Sequence, residues 1–140
     1  MTKQIYINLP VKDLSKSTAF YEALGFTKNP TFSDENASSM MWSDDIVVML
    51  LIHDFYKKFI GSKVIPDTTK TNSVLLAITL ESQDDVRLFA ETAKQNGGDF
   101  YEVAMDVPTD MMFSLEVSDL DGNTWEPMWM NYNFKPHENQ

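Results

Sequence analysis

The chain carries one pattern twice, and this constrains its fold more than anything else in it. An alternating segment, Ile5-Tyr6-Ile7-Asn8-Leu9, runs through Pro10 to Asp13, then a helical stretch from Leu14 to Leu24, then Gly25-Phe26. The order returns with Val74 to Leu80, the polar Glu81-Ser82, a helical stretch from Gln83 to Asn96, and Gly97-Gly98. Short alternating segments follow each copy. A strand-helix-strands unit has an apolar sheet face that it cannot bury alone, so two copies pack against each other. The expected fold class is α+β, with two βαβββ modules whose curved, mostly antiparallel sheets form a cup. Residues 1–60 are the first module, 61–72 a polar linker, 73–131 the second module and 132–140 a tail. A cup between two sheets is a place for a ligand.

Local signals set the elements. Ile5, Ile7 and Leu9 face one way and Tyr6 and Asn8 the other, by the twofold alternation of a strand. Asp13 caps the first helix, whose apolar stripe is Leu14, Thr18, Phe20, Tyr21 and Leu24, and Gly25 ends it. Strands are expected at Phe26 to Phe32, Ala37 to Trp42 and Ile46 to Ile52, and a short helix at His53 to Ile60 with Phe55, Phe59 and Ile60 buried. In the second module Val74 to Leu80 reads as a buried strand. Ser82 and Asp85 form a capping pair, and Val86, Phe89, Ala90 and Ala93 point inward. Strands follow at Phe100 to Met105, Met111 to Val117 and Thr124 to Met130, the last after a tight turn at Asp121-Gly122. Tyr132 and Phe134 are candidates to dock the tail.

Composition excludes several functions. With no cysteine among the 140 residues, disulfides, thiolate metal sites and cysteine nucleophiles are ruled out. No apolar run reaches the roughly 18 residues of a membrane span, and the start of the chain lacks a signal-peptide core. The expectation is a cytoplasmic protein without a membrane partner. A formal charge of −10, with Arg87 the single arginine, offers no basic face for nucleic acid and no guanidinium fork for an anion. A neutral or cationic small molecule suits the chain better.

The run Asn8-Leu9-Pro10-Val11-Lys12-Asp13-Leu14 with Phe20-Tyr21 and Leu24-Gly25-Phe26, and the ending Asp119-Leu120-Asp121-Gly122-Asn123-Thr124-Trp125-Glu126, resemble the opening and closing signatures of the glyoxalase/bleomycin-resistance/dioxygenase group, the vicinal oxygen chelate superfamily. Asn96-Gly97-Gly98 also fits. The branch it is most similar to consists of small bacterial proteins described as predicted lactoylglutathione lyases. The resemblance implies the two-module cup, often completed in a homodimer. It also implies a divalent metal held by one residue from each of four strands, usually His or Gln, Glu, His and Glu. Those positions fall here on Tyr6, Met49, Leu75 and Glu126. Only Glu126 keeps an ordinary ligand type, and Met49 and Leu75 cannot hold a hard cation, so no cofactor is expected. The implied alternative is a metal-dependent lyase, isomerase or dioxygenase.

The candidate ligand-binding residues are Tyr6, Asn8, Trp42, Met49, Leu75, Met111, Glu126 and Met128. Alternation places Val47, Met49, Leu51 and His53 on one face of their strand, and Thr124, Glu126, Met128 and Met130 on one face of theirs. Methionine suits an adaptable apolar pocket and equally fills core gaps. Glu126, among apolar neighbours, is neutralised, hydrogen-bonded to Tyr6 or Asn8, or paired with a ligand cation. Glu126, Tyr6 and His53 are the candidates for any catalysis. The favoured reading is a metal-free cup that binds a small, largely apolar, neutral or cationic molecule. An interaction protein whose dimer surface is its function is the third possibility.

Overall fold

The computed structural model describes residues 2–133 and 135. The first sheet holds β1 (Ile5–Val11), β4 (Ile46–Ile52), β3 (Ala37–Met41) and β2 (Thr27–Asn29) in that spatial order. β1 and β4 are parallel, and the other neighbours are antiparallel. The second sheet runs β5 (Leu75–Thr79), β9 (Thr124–Met130), β8 (Glu116–Ser118), β6 (Asp99–Tyr101), with β7 (Met112–Ser114) also on β9. β5 and β9 are its parallel pair. The two sheets therefore repeat one topology. Each is curved and unclosed, and α1 (Leu14–Ala23) and α3 (Gln83–Gln95) serve the first and second copies. Among the described residues no helix is long and apolar enough to cross a membrane.

The caps form as the residue types demand. The Asp13 carboxylate accepts from the Lys16 amide, and the Ser82 hydroxyl from the Asp85 amide. One core joins both copies. Leu9, Val11, Phe20, Tyr21, Val48 and Leu50 from the first meet Ile78, Val86, Phe89, Val117 and Trp125 from the second. Tyr21 and Trp125 stack edge to face at 5.9 Å between ring centroids, and Phe26 and Trp125 at 5.6 Å. The helical sides of the two sheets thus face each other. Their opposite sides, carrying Tyr6 and Leu75, are turned outward.

Several elements are shorter than expected. Pro30 converts the end of the second expected strand into a 3-10 turn, Pro30–Phe32. α2 spans only His53–Lys57, since the chain past it tightens into i→i−3 turns from Lys58 to Phe55 and Phe59 to Tyr56, and Phe59 is 68% exposed rather than buried. β6 stops at Tyr101, since its partner β8 is equally short. The strand expected at Met111 to Val117 is two. Leu115 donates to the Pro127 carbonyl, but Pro127 has no N–H to return, and the ladder is interrupted there. β5 is not buried throughout: Ile78 is, whereas Leu75 is 53% exposed, because one side of this sheet has no cover. Tyr132 is 80% exposed and does not dock; Phe134 lies outside the described residues.

Candidate functional site: the open sheet faces

Strand parity determines what each outward face presents. On the first sheet Asn8 pairs with Met49 and Met49 with Ser39, so these share a face with Tyr6, Val47 and Leu51. On the second, Leu75, Ala77 and Thr79 of β5 lie beside Thr124, Glu126 and Met128 of β9, and Met112 and Ser114 beside Met130 and Met128. Tyr6, Asn8, Met49, Leu75, Glu126 and Met128 all occupy outward faces. They lie on separate sheets, and no strand pairing joins the two sheets within the chain.

Two candidate residues are placed otherwise. Trp42 shares the parity of Met40, which is fully buried in the core, and its ring packs against Phe26 at 5.0 Å and Phe89 at 6.1 Å. It is half-buried against the core, on the opposite side of the first sheet from Tyr6 and Met49. Met111 precedes β7; the next residue, Met112, takes the outward position opposite Met130, and the Met111 carbonyl accepts from the Asn131 amide. His53 opens α2, in a cleft with Pro10 and Lys12 at the end of the first sheet, whereas Glu126 lies on the second sheet.

The polar centre of the second face is a pair. Ser114 opposes Met128 and Val117 opposes Trp125, so the same register sets Glu116 directly across from Glu126. Glu116 is only 7% exposed. Burial first, then a hydrogen bond and charge repulsion from Glu126, push its carboxyl up to about 7. Near neutral pH the Glu116 carboxyl is therefore about half protonated. Glu116 was not among the residues expected at the site. The signal was present: the turn at Asp121-Gly122 closes with the Asp119 amide on the Asn123 carbonyl, and counting outward from it pairs 116 with 126.

The rest of the closing signature works inside the core. The Tyr21 hydroxyl donates to Asp119 Oδ2 at 2.6 Å and accepts from Trp125 Nε1 at 2.9 Å. Asp119 Oδ1 accepts from the Asp121 and Asn123 amides, and Asp121 Oδ1 accepts from the Lys12 amide at 2.9 Å. The motif therefore staples the opening strand and helix to the final hairpin. Burial is the main reason the Asp119 carboxyl is raised, against its hydrogen bonds to Tyr21 and Asn123. Burial and then Asp119 hold the Tyr21 phenol well above its ordinary 10.0, so it remains a donor.

A family model, the Glyoxalase/Bleomycin resistance protein/Dioxygenase superfamily, matches residues 3–126. The chain belongs to this superfamily. No curated protein matches it. Among solved structures it resembles a hypothetical protein from S. aureus, at 23% identity and a TM-score of 0.73, with 92% of this chain and 95% of that one covered. A glyoxalase-related enzyme from Fulvimarina pelagi has 23% identity and a TM-score of 0.72, covering 92% and 88%. The fosfomycin resistance protein FosX from Listeria monocytogenes has 18% identity and a TM-score of 0.65, covering 96% of each chain. At these identities the likeness is one of fold, and the chemistry must come from this chain's residues.

The superfamily's metal does not fit these residues. Of Tyr6, Met49, Leu75 and Glu126, Met49 offers only a thioether and Leu75 no donor at all. Among the described residues no group of three or more His, Cys, Asp or Glu side chains is placed to hold an ion. Glu116 adds a second carboxyl beside Glu126, which still leaves two of the four superfamily positions without an oxygen or nitrogen donor.

Proposed function

We propose that this member of the superfamily is a metal-free binding protein for a small, largely apolar molecule that carries a positive charge. The observation that carries the reading is the Glu116–Glu126 carboxyl pair, set across β8 and β9. The surrounding face consists of Leu75, Ala77 and Thr79, of Thr124, Met128 and Met130, of Met112, Ser114 and Ser118, and of Tyr101 and Asp99 on β6, with no lysine, arginine or histidine. An amine entering beside the pair takes the place of the Glu116 proton and gains charge-assisted hydrogen bonds to the two carboxyls. The methionines adapt to the apolar remainder of the ligand. A second copy of the chain completes the cup, laying its Tyr6, Asn8 and Met49 face over the Glu126 face of the first.

The test is calorimetric titration with benzylamine and tryptamine, each beside its neutral alcohol counterpart. The amines bind more tightly than the alcohols, and Glu126→Gln weakens them by about 1–3 kcal/mol, the scale of a charged hydrogen bond. Equal affinity for amine and alcohol, unchanged in Glu126→Gln, overturns the reading. Stoichiometric Ni, Zn, Mn or Fe in the purified protein overturns its metal-free part. One observation favours a second reading, an enzyme that moves a proton without a metal: a carboxyl held near 7 matches a general acid or base at neutral pH. Turnover whose pH profile loses the limb near 7 in Glu116→Gln distinguishes it from simple binding.

A further inference from the structure

A second site lies at the far end of the first sheet. Here a cleft of about 610 Å³ is walled by the end of β1 (Pro10, Lys12), by α2 (His53, Lys57) and by the linker from Gly61 through Lys63 to Thr68. Its lining carries three lysines against two aspartates, Asp67 and Asp121, the reverse of the chain's balance. In a sequence with 21 acidic and 11 basic residues, Lys12, Lys57 and Lys63 line this one cleft together with the imidazole of His53.

The cleft's own carboxylates are engaged elsewhere. Asp67 accepts from the Thr69 amide at 3.0 Å and from its hydroxyl, closing its own turn. Asp121 accepts from the Lys12 amide at 2.9 Å and from Ser17 Oγ at 3.4 Å. Neither forms an ion pair with a cleft lysine. Among the described residues the one ion pair within 4 Å is Arg87 with Asp84, on α3. The Lys12 charge acts on Asp67 across the cleft, whereas among the described residues no carboxylate lies within 4 Å of the Lys57 or Lys63 ammonium group.

The linker wall is built into the fold. Thr68 Oγ1 donates to the Asp121 carbonyl. Gly122, at φ +86, lies so close under Thr68 that a Cβ there would collide with the Thr68 backbone. The wall is therefore docked on the closing hairpin of the second sheet.

We infer that this cleft binds a small molecule through a dianionic group, a phosphate monoester. Lysines act as compact point charges that surround a tetrahedral anion, whereas a planar carboxylate is more often held by an arginine fork, which this cleft lacks. His53 adds a ring N–H donor. The site is independent of the cationic-ligand cup: it has the opposite charge, and it rests on none of the residues of the carboxyl pair.

The probe is inorganic phosphate, titrated into the full-length protein at low ionic strength and followed by amide NMR, with acetate and chloride at matched ionic strength as comparisons. Saturable shifts are expected at Lys12, His53, Lys57 and residues 61–68, for phosphate and not for the other two anions. The double variant Lys57→Ala/Lys63→Ala, both residues exposed and outside the core, weakens binding at least about tenfold, the loss of one charged hydrogen bond or more. Lys3→Ala/Lys28→Ala makes the same change in net charge away from the cleft and leaves binding as it was. Three results overturn the proposal: no saturable shift, equal response to acetate, or equal weakening in the two double variants, which would mean a general surface effect. None of them bears on the amine titration of the cup.

Discussion

Tyr21 is the residue on which the two copies of the motif depend most. Its ring packs against Phe20, Phe26 and Trp125, and its hydroxyl joins Asp119 to the Trp125 indole. Tyr21→Phe keeps the ring and leaves a buried carboxylate and an indole N–H each short of a partner. The expected loss is about 1–3 kcal/mol in urea unfolding, with no change in the binding of amines. Glu116 makes the opposite kind of contribution. It binds its proton more tightly folded, at about 7, than unfolded, near 4.5. The native state therefore holds more protons between those values, and stability falls as pH rises through that window. Asp119 is also raised and acts in the same direction, so the clean measurement is a difference. Glu116→Gln is expected to match the wild type at pH 5 and to exceed it at pH 8 by up to about 3 kcal/mol. A difference that stays flat between those two pH values would remove the raised Glu116 carboxyl from the account.

At the scale of elements, the turn after α3 shows how closely helix and sheet approach. Gly98 lies against the Ser118 carbonyl of β8, with the Phe20 ring at 3.0 Å and the Ala93 carbonyl at 3.1 Å from where a Cβ would be. Its backbone is not left-handed, so the requirement is for space and not for conformation. Gly98→Ala has to push β8 away from α3 and should cost about 1–3 kcal/mol, the usual range for overpacking. Because β8 carries Glu116, the same variant should also bring the Glu116 titration back toward 4.5, which carboxyl NMR would follow. The interruption of the β7–β8 ladder at Pro127 has a related consequence. It falls one residue from Glu126, so the carboxyl pair sits beside a break in an otherwise regular sheet.

At the scale of the whole molecule, the chain buries its helical sides and leaves the opposite sheet faces partly open. Tyr6 is 52% exposed, Leu75 53% and Met130 38%, a row of apolar side chains on sheets that do not pair with one another. Such surface favours a self-complementary interface about a twofold axis. The expected solution species is a homodimer, twice the 16.0 kDa chain and so about 32 kDa by light scattering. Tyr6→Glu, which places a charge in the cup without touching the core, should shift it toward monomer. A clean monomer at high micromolar concentration for the wild type would exclude the composite cup.

The duplication, the helix caps, the glycine stops, the superfamily signatures and the outward positions of Tyr6, Asn8, Met49, Leu75, Glu126 and Met128 were all legible along the chain. Each depends on local chemistry or on the two-residue period of a strand, which needs no partner to be read. Parity also contained the correct placement of Trp42 and Met111, because Met40 and Met112 show which positions turn inward and outward. Three things came only from the tertiary structure. The burial that lifts Glu116 beside Glu126 needs the packed sheet, although the hairpin turn already sets their register. The Tyr21–Asp119–Trp125 staple needs contacts across 98 and 104 residues. The lysine-lined cleft needs the linker to fold back on the closing hairpin. Charge along a chain is a sum, and which charges meet depends on distances that only packing sets.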